Sequence, residues 1–299
     1  MPLGNSIVQT CARAGETLKE YGLLVRLHRP IGIWLLLWPT LWALWVATAG
    51  HPTESVFIIF VAGTVLMRSA GCAINDFADR DYDPHVKRTR DRPLAARRIS
   101  PYEAIVVFVA LALAALALVL RLDRFTQLLA VIGFAIAASY PFVKRFFALP
   151  QFYLGAAFSW GVPMAFAAEL GRVPKIGWLL FLATVLWVAV YDTMYAMVDR
   201  DDDLKIGINS TAILFGDMDK LIIAAMQLMV LLGLYLVGKE AHRGFWFGLG
   251  LALGGMFFLY QQILIREREP ERCLRAFLNN NYFGMAVFVG LALDYQFNP

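Results

Sequence analysis

The sequence predicts an all-α protein that crosses a membrane several times. Of its 299 residues, 59% are hydrophobic and only 17% are charged, whereas soluble domains contain about 45–50% apolar and about 25% charged residues. The apolar residues also form long uncharged runs, such as residues 31–49, and a helix needs roughly 20 such residues to span a bilayer. Because hydrocarbon offers no partners to backbone polar groups, these runs predict helices.

Nine segments have the composition of membrane-spanning helices, and we expect residues 1–299 to form a single transmembrane domain. The ninth segment has the shortest apolar core. The segments lie near residues 31–49, 56–78, 102–121, 125–143, 150–169, 176–197, 220–238, 243–265 and 281–296.

The positive charges lie mostly on one side of these spans. Twenty of the 27 Lys and Arg residues flank the side that holds the N-terminus, six flank the other side, and Arg68 lies inside the second span. Loops rich in Lys and Arg remain in the cytoplasm. We therefore expect the N-terminus, and the loops that follow the even-numbered spans, to be cytoplasmic.

Two acidic clusters follow spans two and six, so both are predicted on the cytoplasmic side. Their members recur at steps of three or four residues, which places each set along one stripe of a helix. The stripes consist of Asn75, Asp79 and Asp83, with Asp76 beside them, and of Asp192, Tyr195, Asp199 and Asp203. Stacked carboxylates repel one another unless a cation is near. Mg²⁺ combines a few carboxylates with phosphate oxygens and water, so the two stripes together predict a magnesium site.

The two clusters also resemble each other. Asp79-Arg80-Asp81-x-Asp83 recurs 120 residues later as Asp199-Arg200-Asp201-x-Asp203. Transporters and related membrane proteins are often built from internal repeats with the site between them, so residues 25–145 and 146–265 are candidate repeats. One short match leaves this open, and each cluster alone would also fit a solvated helix end.

Cationic residues are expected around a magnesium-bound diphosphate because the metal does not cancel all of its charge. The candidates are Arg29 before the first span, Arg68 in the second, Lys87, Arg88 and Arg92 after the first cluster, Lys144 and Arg145 beside Tyr140 after span four, and Lys205 after the second cluster. For the loop residues, the ordinary excess of cytoplasmic Lys and Arg is the alternative. Arg26 precedes the first span as Arg29 does, and each of the two could bind substrate or instead anchor the chain at the interface. Arg68 could pair with a carboxylate.

The two clusters read as NDxxDxxxD at residues 75–83 and DxxxD at residues 199–203. In these motifs the chain resembles the UbiA-type intramembrane prenyltransferases, and most of all the bacterial 4-hydroxybenzoate polyprenyltransferases. The strings that carry the resemblance lie at residues 29–47, 66–83, 86–95, 140–145, 149–168 and 191–216.

The resemblance implies nine helices around a central cavity, a cytoplasmic cap over the active site, and a location in the bacterial inner membrane. It also implies transfer of a polyprenyl group from polyprenyl diphosphate to the ring carbon ortho to the hydroxyl of 4-hydroxybenzoate, with Mg²⁺, in ubiquinone biosynthesis. The roles it implies are catalysis and metal binding for the six aspartates, with Asn75 as a further ligand, and substrate binding for Asn75, Tyr195 and the cationic set with Tyr140. Two alternatives are a sister prenyltransferase with another acceptor and a cation-coupled transporter, since intramembrane carboxylates fit both.

Overall fold

The computed structural model describes residues 15–86, 88–143, 146–147, 149–206 and 210–298, with no account of the Ile206 side chain. Three members of the predicted cationic set, Lys87, Lys144 and Arg145, lie outside the described residues.

Helices account for the regular structure of the described residues, which contain no strand, and the all-α prediction is confirmed. Short 3₁₀ turns occupy Asp83–His85 and Gly216–Met218. The helices are α1 (15–24), α2 (Ile31–Ala47), α3 (Glu54–Asp79), α4 (Pro101–Val119), α5 (Arg124–Val143), α6 (Pro150–Ser159), α7 (Gly161–Leu170), α8 (Lys175–Ile206), α9 (Thr211–Leu214), α10 (Asp219–Glu240), α11 (Phe245–Leu264) and α12 (Pro270–Phe297).

Among the described residues, seven helices are long and apolar enough to cross a membrane, and α2 is a shorter apolar helix. The chain is therefore a multi-pass membrane protein. The nine-span count is not confirmed as such, because the predicted span at 150–169 consists of two ten-residue helices, α6 and α7. Pro163 favours a break here, because it has no N–H to donate to the carbonyl of Ser159, the last residue of α6, although Pro39 lies inside α2 without dividing it.

The chain divides into two compact units, and the acidic clusters belong to different ones. The described part of the first unit covers residues 15–30 and 65–116 with a gap at 87. Its core contains Leu24 from α1, Ala73 from α3 and Ala104 from α4, with Leu94 and Ile99 from the intervening loop. The N-terminal helix α1 is therefore packed into the unit that carries the first cluster.

The described part of the second unit covers residues 31–64 and 117–298 with gaps at 144–145, 148 and 207–209, and it has the larger hydrophobic core. Three consecutive asparagines of α12 bind three different helices. The Nε2 of Gln261 on α11 donates to Asn279 Oδ1 at 3.0 Å, and the Nε1 of Trp187 on α8 donates to Asn280 Oδ1 at 2.9 Å. The Nε1 of Trp38 on α2 donates to Asn281 Oδ1, also at 2.9 Å. These bonds fix the rotation of α12 against its neighbours, including α8, which carries the second cluster.

Candidate functional site

The first cluster does not form one continuous helical stripe. Helix α3 ends at Asp79, and Asp83 begins a 3₁₀ turn with Pro84 as its next residue. Proline disfavours the α conformation in the residue before it, so the helix cannot continue through Asp83. The prediction that Asn75, Asp79 and Asp83 share one helix face is therefore wrong for Asp83 and holds for the other two.

Asp76 is 1% exposed and is surrounded by arginine. Arg26 Nη2 donates to both carboxylate oxygens of Asp76, at 2.7 and 2.9 Å, and Arg92 Nη1 donates to Asp76 Oδ1 at 3.1 Å. A buried carboxylate is stable only when such partners satisfy it. Asp76 is thus fully engaged by two guanidiniums within its own unit.

Arg92 also reaches Asp83, which is 6% exposed. Its Nη1 donates to the two oxygens of the Asp83 carboxylate at 3.2 and 2.9 Å. Burial raises the pKa of Asp83, and Arg92 opposes that effect. The predicted site residues Asp76, Asp83 and Arg92 are therefore brought together, with Arg92 as the bridge.

Of the two arginines that precede the first span, Arg26 and Arg29, only Arg26 is bound to the first cluster. Arg26 follows α1 in a left-handed backbone conformation, with φ of 62°, where glycine is usual. The N–H of Leu27 donates to the carbonyl of Gly22 at 3.0 Å, and the N–H of Arg26 donates to that of Leu23 at 3.2 Å, which is a Schellman motif. Arg29 is exposed.

The side chain of Arg26 ties the end of α1 to the first cluster. Its Nη1 donates to the carbonyls of Leu23 and Leu24 at 2.9 and 3.1 Å, while its Nη2 holds Asp76. No pattern in the sequence marks this pairing, because Arg26 and Asp76 are 50 residues apart.

Asn75 supplies the observation that favours a ligand at this cluster. Its Oδ1 atom is buried, and no donor among the described residues hydrogen-bonds to it. Such an oxygen costs free energy unless a ligand, ion or water satisfies it. Among all the residues that the structure describes, no group of three His, Cys, Asp or Glu side chains lies close enough together to hold a metal ion. A metal here would therefore need further oxygen ligands, such as those of phosphate and water.

The second cluster does lie on one helix. Asp192, Tyr195, Asp199 and Asp203 all belong to α8, a helix of 32 residues, and all four are half-buried. Their spacing places them on one stripe, as predicted. The ring of Tyr195 packs against Phe277 of α12 with centroids 4.7 Å apart, which fixes this face of α8 within the second unit.

Arg200, next to Asp199, is directed to a carboxylate outside the cluster. Its Nη1 lies 3.4 Å from Oδ2 of Asp219, which is fully buried at the start of α10. Arg268 holds the same carboxylate with two hydrogen bonds of 2.9 and 2.8 Å, and these bonds raise the pKa of Arg268. Arg200, Asp219 and Arg268, here called the Asp219 group, link α8, α10 and the loop between α11 and α12.

The remaining predicted residues lie in separate places. Arg68 on α3, Arg88 in the following loop and Tyr140 on α5 are half-buried. Lys205 forms an exposed ion pair of 3.1 Å with Asp202.

Comparison with known proteins identifies the chain over most of its length. The UbiA prenyltransferase family matches residues 36–287. A protein of Nitrosococcus oceani named 4-hydroxybenzoate octaprenyltransferase is 58% identical over 280 residues, which cover 94% of this chain and 98% of that protein. A protein of the same name from Coxiella burnetii is 53% identical over 281 residues, with 94% and 98% covered.

Solved structures share the fold. A UbiA homologue from Aeropyrum pernix superposes with a TM-score of 0.75 at 25% identity, covering 87% of this chain and 97% of that one. A UbiA homologue from Archaeoglobus fulgidus, bound to GPP and Mg²⁺, gives a TM-score of 0.68 at 18% identity, with 90% and 99% covered. The match of the family to residues 36–287 includes both acidic clusters, and the chain belongs to the UbiA prenyltransferase family.

Proposed function

We propose that this protein transfers a polyprenyl group from polyprenyl diphosphate to 4-hydroxybenzoate, at the ring carbon ortho to the hydroxyl, with release of diphosphate. The observation that carries this proposal is the identity of 53–58% to 4-hydroxybenzoate octaprenyltransferases over more than nine-tenths of this chain and of those proteins. Ubiquinone biosynthesis is the pathway that uses this product.

Mg²⁺ is the cation that the oxygen ligands of this chain suit best. The proposed ligands are Asn75, Asp79 and Asp83 from the first cluster and Asp192, Asp199 and Asp203 from the second. The buried Oδ1 of Asn75, unsatisfied within the described residues, supports a ligand at the first cluster. When bound, the metal would neutralise charge on the departing diphosphate. That both clusters serve one diphosphate is a prediction from the sequence.

Cationic side chains of this protein would bind the remaining charge of the diphosphate. Arg binds phosphate oxygens in pairs and Lys binds as a point charge. The proposed contacts are Arg68, Lys87, Arg88, Arg92, Lys144, Arg145 and Lys205, with Asn75, Tyr140 and Tyr195 as neutral hydrogen-bonding groups. Apolar surroundings would keep water away from the allylic carbon while its bond to oxygen breaks.

The carboxylate of the acceptor needs a cationic partner in an apolar site. Arg29, Arg68 and Arg145 are the proposed candidates, since each lies beside or within a predicted span. The test is to substitute each arginine by Gln in turn and to measure the KM for 4-hydroxybenzoate and the KM for the donor separately. The arginine that binds the acceptor is the one whose substitution raises only the KM for 4-hydroxybenzoate.

The proposed location is the bacterial inner membrane, with the N-terminus and both clusters on the cytoplasmic side. The excess of Lys and Arg on that side supports this orientation. Labelling of a single cysteine introduced at Asp201, in intact cells and in inverted vesicles, tests it. Labelling by an impermeant maleimide only in inverted vesicles is expected, and labelling in intact cells would reverse the orientation.

A direct assay tests the reaction itself. Isolated membranes containing the protein receive radiolabelled 4-hydroxybenzoate, donors of graded chain length, and Mg²⁺. We expect a labelled, extractable prenylated product whose formation depends on the donor. Turnover of homogentisate or a naphthoate, with none of 4-hydroxybenzoate, would contradict the proposed acceptor.

A further inference from the structure

Asp76 differs from its neighbours in the first cluster because two arginines engage it. An ionised carboxylate offers about four lone-pair positions. Arg26 and Arg92 donate three hydrogen bonds to the two oxygens of Asp76, at 2.7, 2.9 and 3.1 Å. Little acceptor capacity is left for a metal ion, and two guanidiniums at this distance would repel one.

The terminal nitrogens of Arg26 are likewise engaged in hydrogen bonds. They donate to the carbonyls of Leu23 and Leu24 and to Asp76. The chain holds Arg26 there in a left-handed conformation that only glycine adopts without cost. Strain of this kind persists where surrounding contacts enforce it and often marks a functional position. Arg26 is therefore placed to hold Asp76.

Arg92 stands on the other side of Asp76. One of its terminal nitrogens donates to Asp76 and to Asp83. The two carboxylates therefore fix the direction of a guanidinium on the loop that follows the first cluster. Helix α1 braces the arrangement further, since Tyr21 Oη donates to Glu103 at 3.0 Å and Glu20 pairs with Arg98 at 2.9 Å.

We propose that Arg26 and Asp76 are positioning residues: Arg26 fixes Asp76, and Asp76 aims Arg92 at the diphosphate of the donor. Asp76 is then not a metal ligand, although it lies between the proposed ligands Asn75 and Asp79. This inference rests on the proposed function, in which Arg92 contacts the diphosphate.

Two measurements on the full-length protein in nanodiscs test the assignment. The first is binding of Mn²⁺ in the presence of saturating inorganic diphosphate, followed by electron paramagnetic resonance. The second is the KM for the polyprenyl donor and kcat, at saturating 4-hydroxybenzoate and metal. We expect Asp76→Asn to leave the Kd for Mn²⁺ within about twofold of wild type and to raise the donor KM at least about tenfold. Asp79→Asn should instead abolish strong Mn²⁺ binding.

Arg26→Gly is the second variant, because glycine keeps the left-handed turn and removes only the side chain. It should raise the donor KM in the same way as Asp76→Asn. The donor KM of the double variant should be no higher than that of Asp76→Asn alone, because both substitutions act through Arg92. Arg97→Gly is the matched control: Arg97 is an exposed arginine of the same unit with φ of 57°. Its kinetics should equal those of wild type.

Loss of Mn²⁺ binding in Asp76→Asn, to the extent seen in Asp79→Asn, would overturn the inference and make Asp76 a ligand. So would an unchanged donor KM in Arg26→Gly. If Asp76→Asn does not fold, Arg26→Gly decides the question alone. Failure of the proposed function would look different: the wild-type protein itself would not prenylate 4-hydroxybenzoate, whether or not it bound Mn²⁺ and inorganic diphosphate.

Discussion

Arginine side chains near both clusters are engaged by carboxylates of the protein itself. Arg26 holds Asp76 in the first unit, and Arg200 and Arg268 hold Asp219 in the second. Counting cations in the sequence therefore overestimates how many can turn to a diphosphate. Buried ion pairs of this kind add little net stability but are costly to break.

Replacing single carboxylates of the two clusters tests the metal assignment. We expect Asp79→Asn and Asp199→Asn each to abolish prenylation while leaving the amount of protein in the membrane unchanged, because Asn keeps the shape but loses the charge that holds Mg²⁺. Product formation in isolated membranes and immunoblotting measure the two quantities. Near-normal turnover by either variant would argue against that residue as a ligand.

The Asp219 group makes a stability prediction. Asp219→Ala removes the acceptor of the hydrogen bonds from Arg268 and Arg200, so we expect a loss of about 1.5–3 kcal/mol in the free energy of unfolding. Asp217→Ala is the matched control, since Asp217 is fully exposed and lies 3.7 Å from Arg268; it should leave the free energy of unfolding unchanged within error. Denaturant-induced unfolding in detergent measures the free energy of unfolding of both variants and of the wild type. Equal effects of both substitutions would show that burial of Asp219 does not matter.

At the scale of helices, α11 and α12 approach each other closely. A Cβ atom at Gly250 would lie 2.7 Å from the carbonyl oxygen of Ala286, and one at Gly290 would lie 2.8 Å from Gly250 Cα and from the carbonyl oxygen of Trp246. Small residues allow such contacts between membrane helices, where van der Waals packing replaces the hydrophobic effect. The two glycines thus set the distance between these helices.

Gly290→Ala should separate α11 from α12, because the neighbours of Gly290 are backbone atoms that cannot rotate away. We expect a loss of about 1–3 kcal/mol in unfolding free energy. Gly248→Ala on α11 is the control, since nothing lies within 4 Å of a Cβ there; it should be neutral or stabilising by up to about 1 kcal/mol. Thermal unfolding of purified protein measures both. A tolerated Gly290→Ala would contradict the close packing.

For the whole molecule, the proposed chemistry depends on a divalent cation. We expect exhaustive chelation with EDTA to abolish prenylation and added Mg²⁺ to restore it, while Ca²⁺ restores less because it favours longer bonds and more ligands. Circular dichroism before and after chelation is the control for unfolding. Full activity of the chelated protein would exclude the proposed role of the metal.

The all-α membrane architecture follows from the sequence alone, since apolar runs of this length permit no other backbone structure in lipid. The sequence also located the stripe on α8, because helical spacing within one long span is a local property. The end of α3 before Asp83 could have been predicted from Pro84. The division of 150–169 into α6 and α7 could not be predicted from Pro163 alone, because Pro39 lies inside α2 without dividing it.

The partners of the polar side chains, in contrast, depend on how the helices pack in three dimensions. The contact between Arg26 and Asp76 joins residues 50 positions apart, and the bond between Trp38 and Asn281 joins residues 243 apart. No periodicity encodes such pairs, because they depend on how separate helices pack. For the same reason the sequence grouped Asp76 with the other aspartates, whereas the structure surrounds it with arginine.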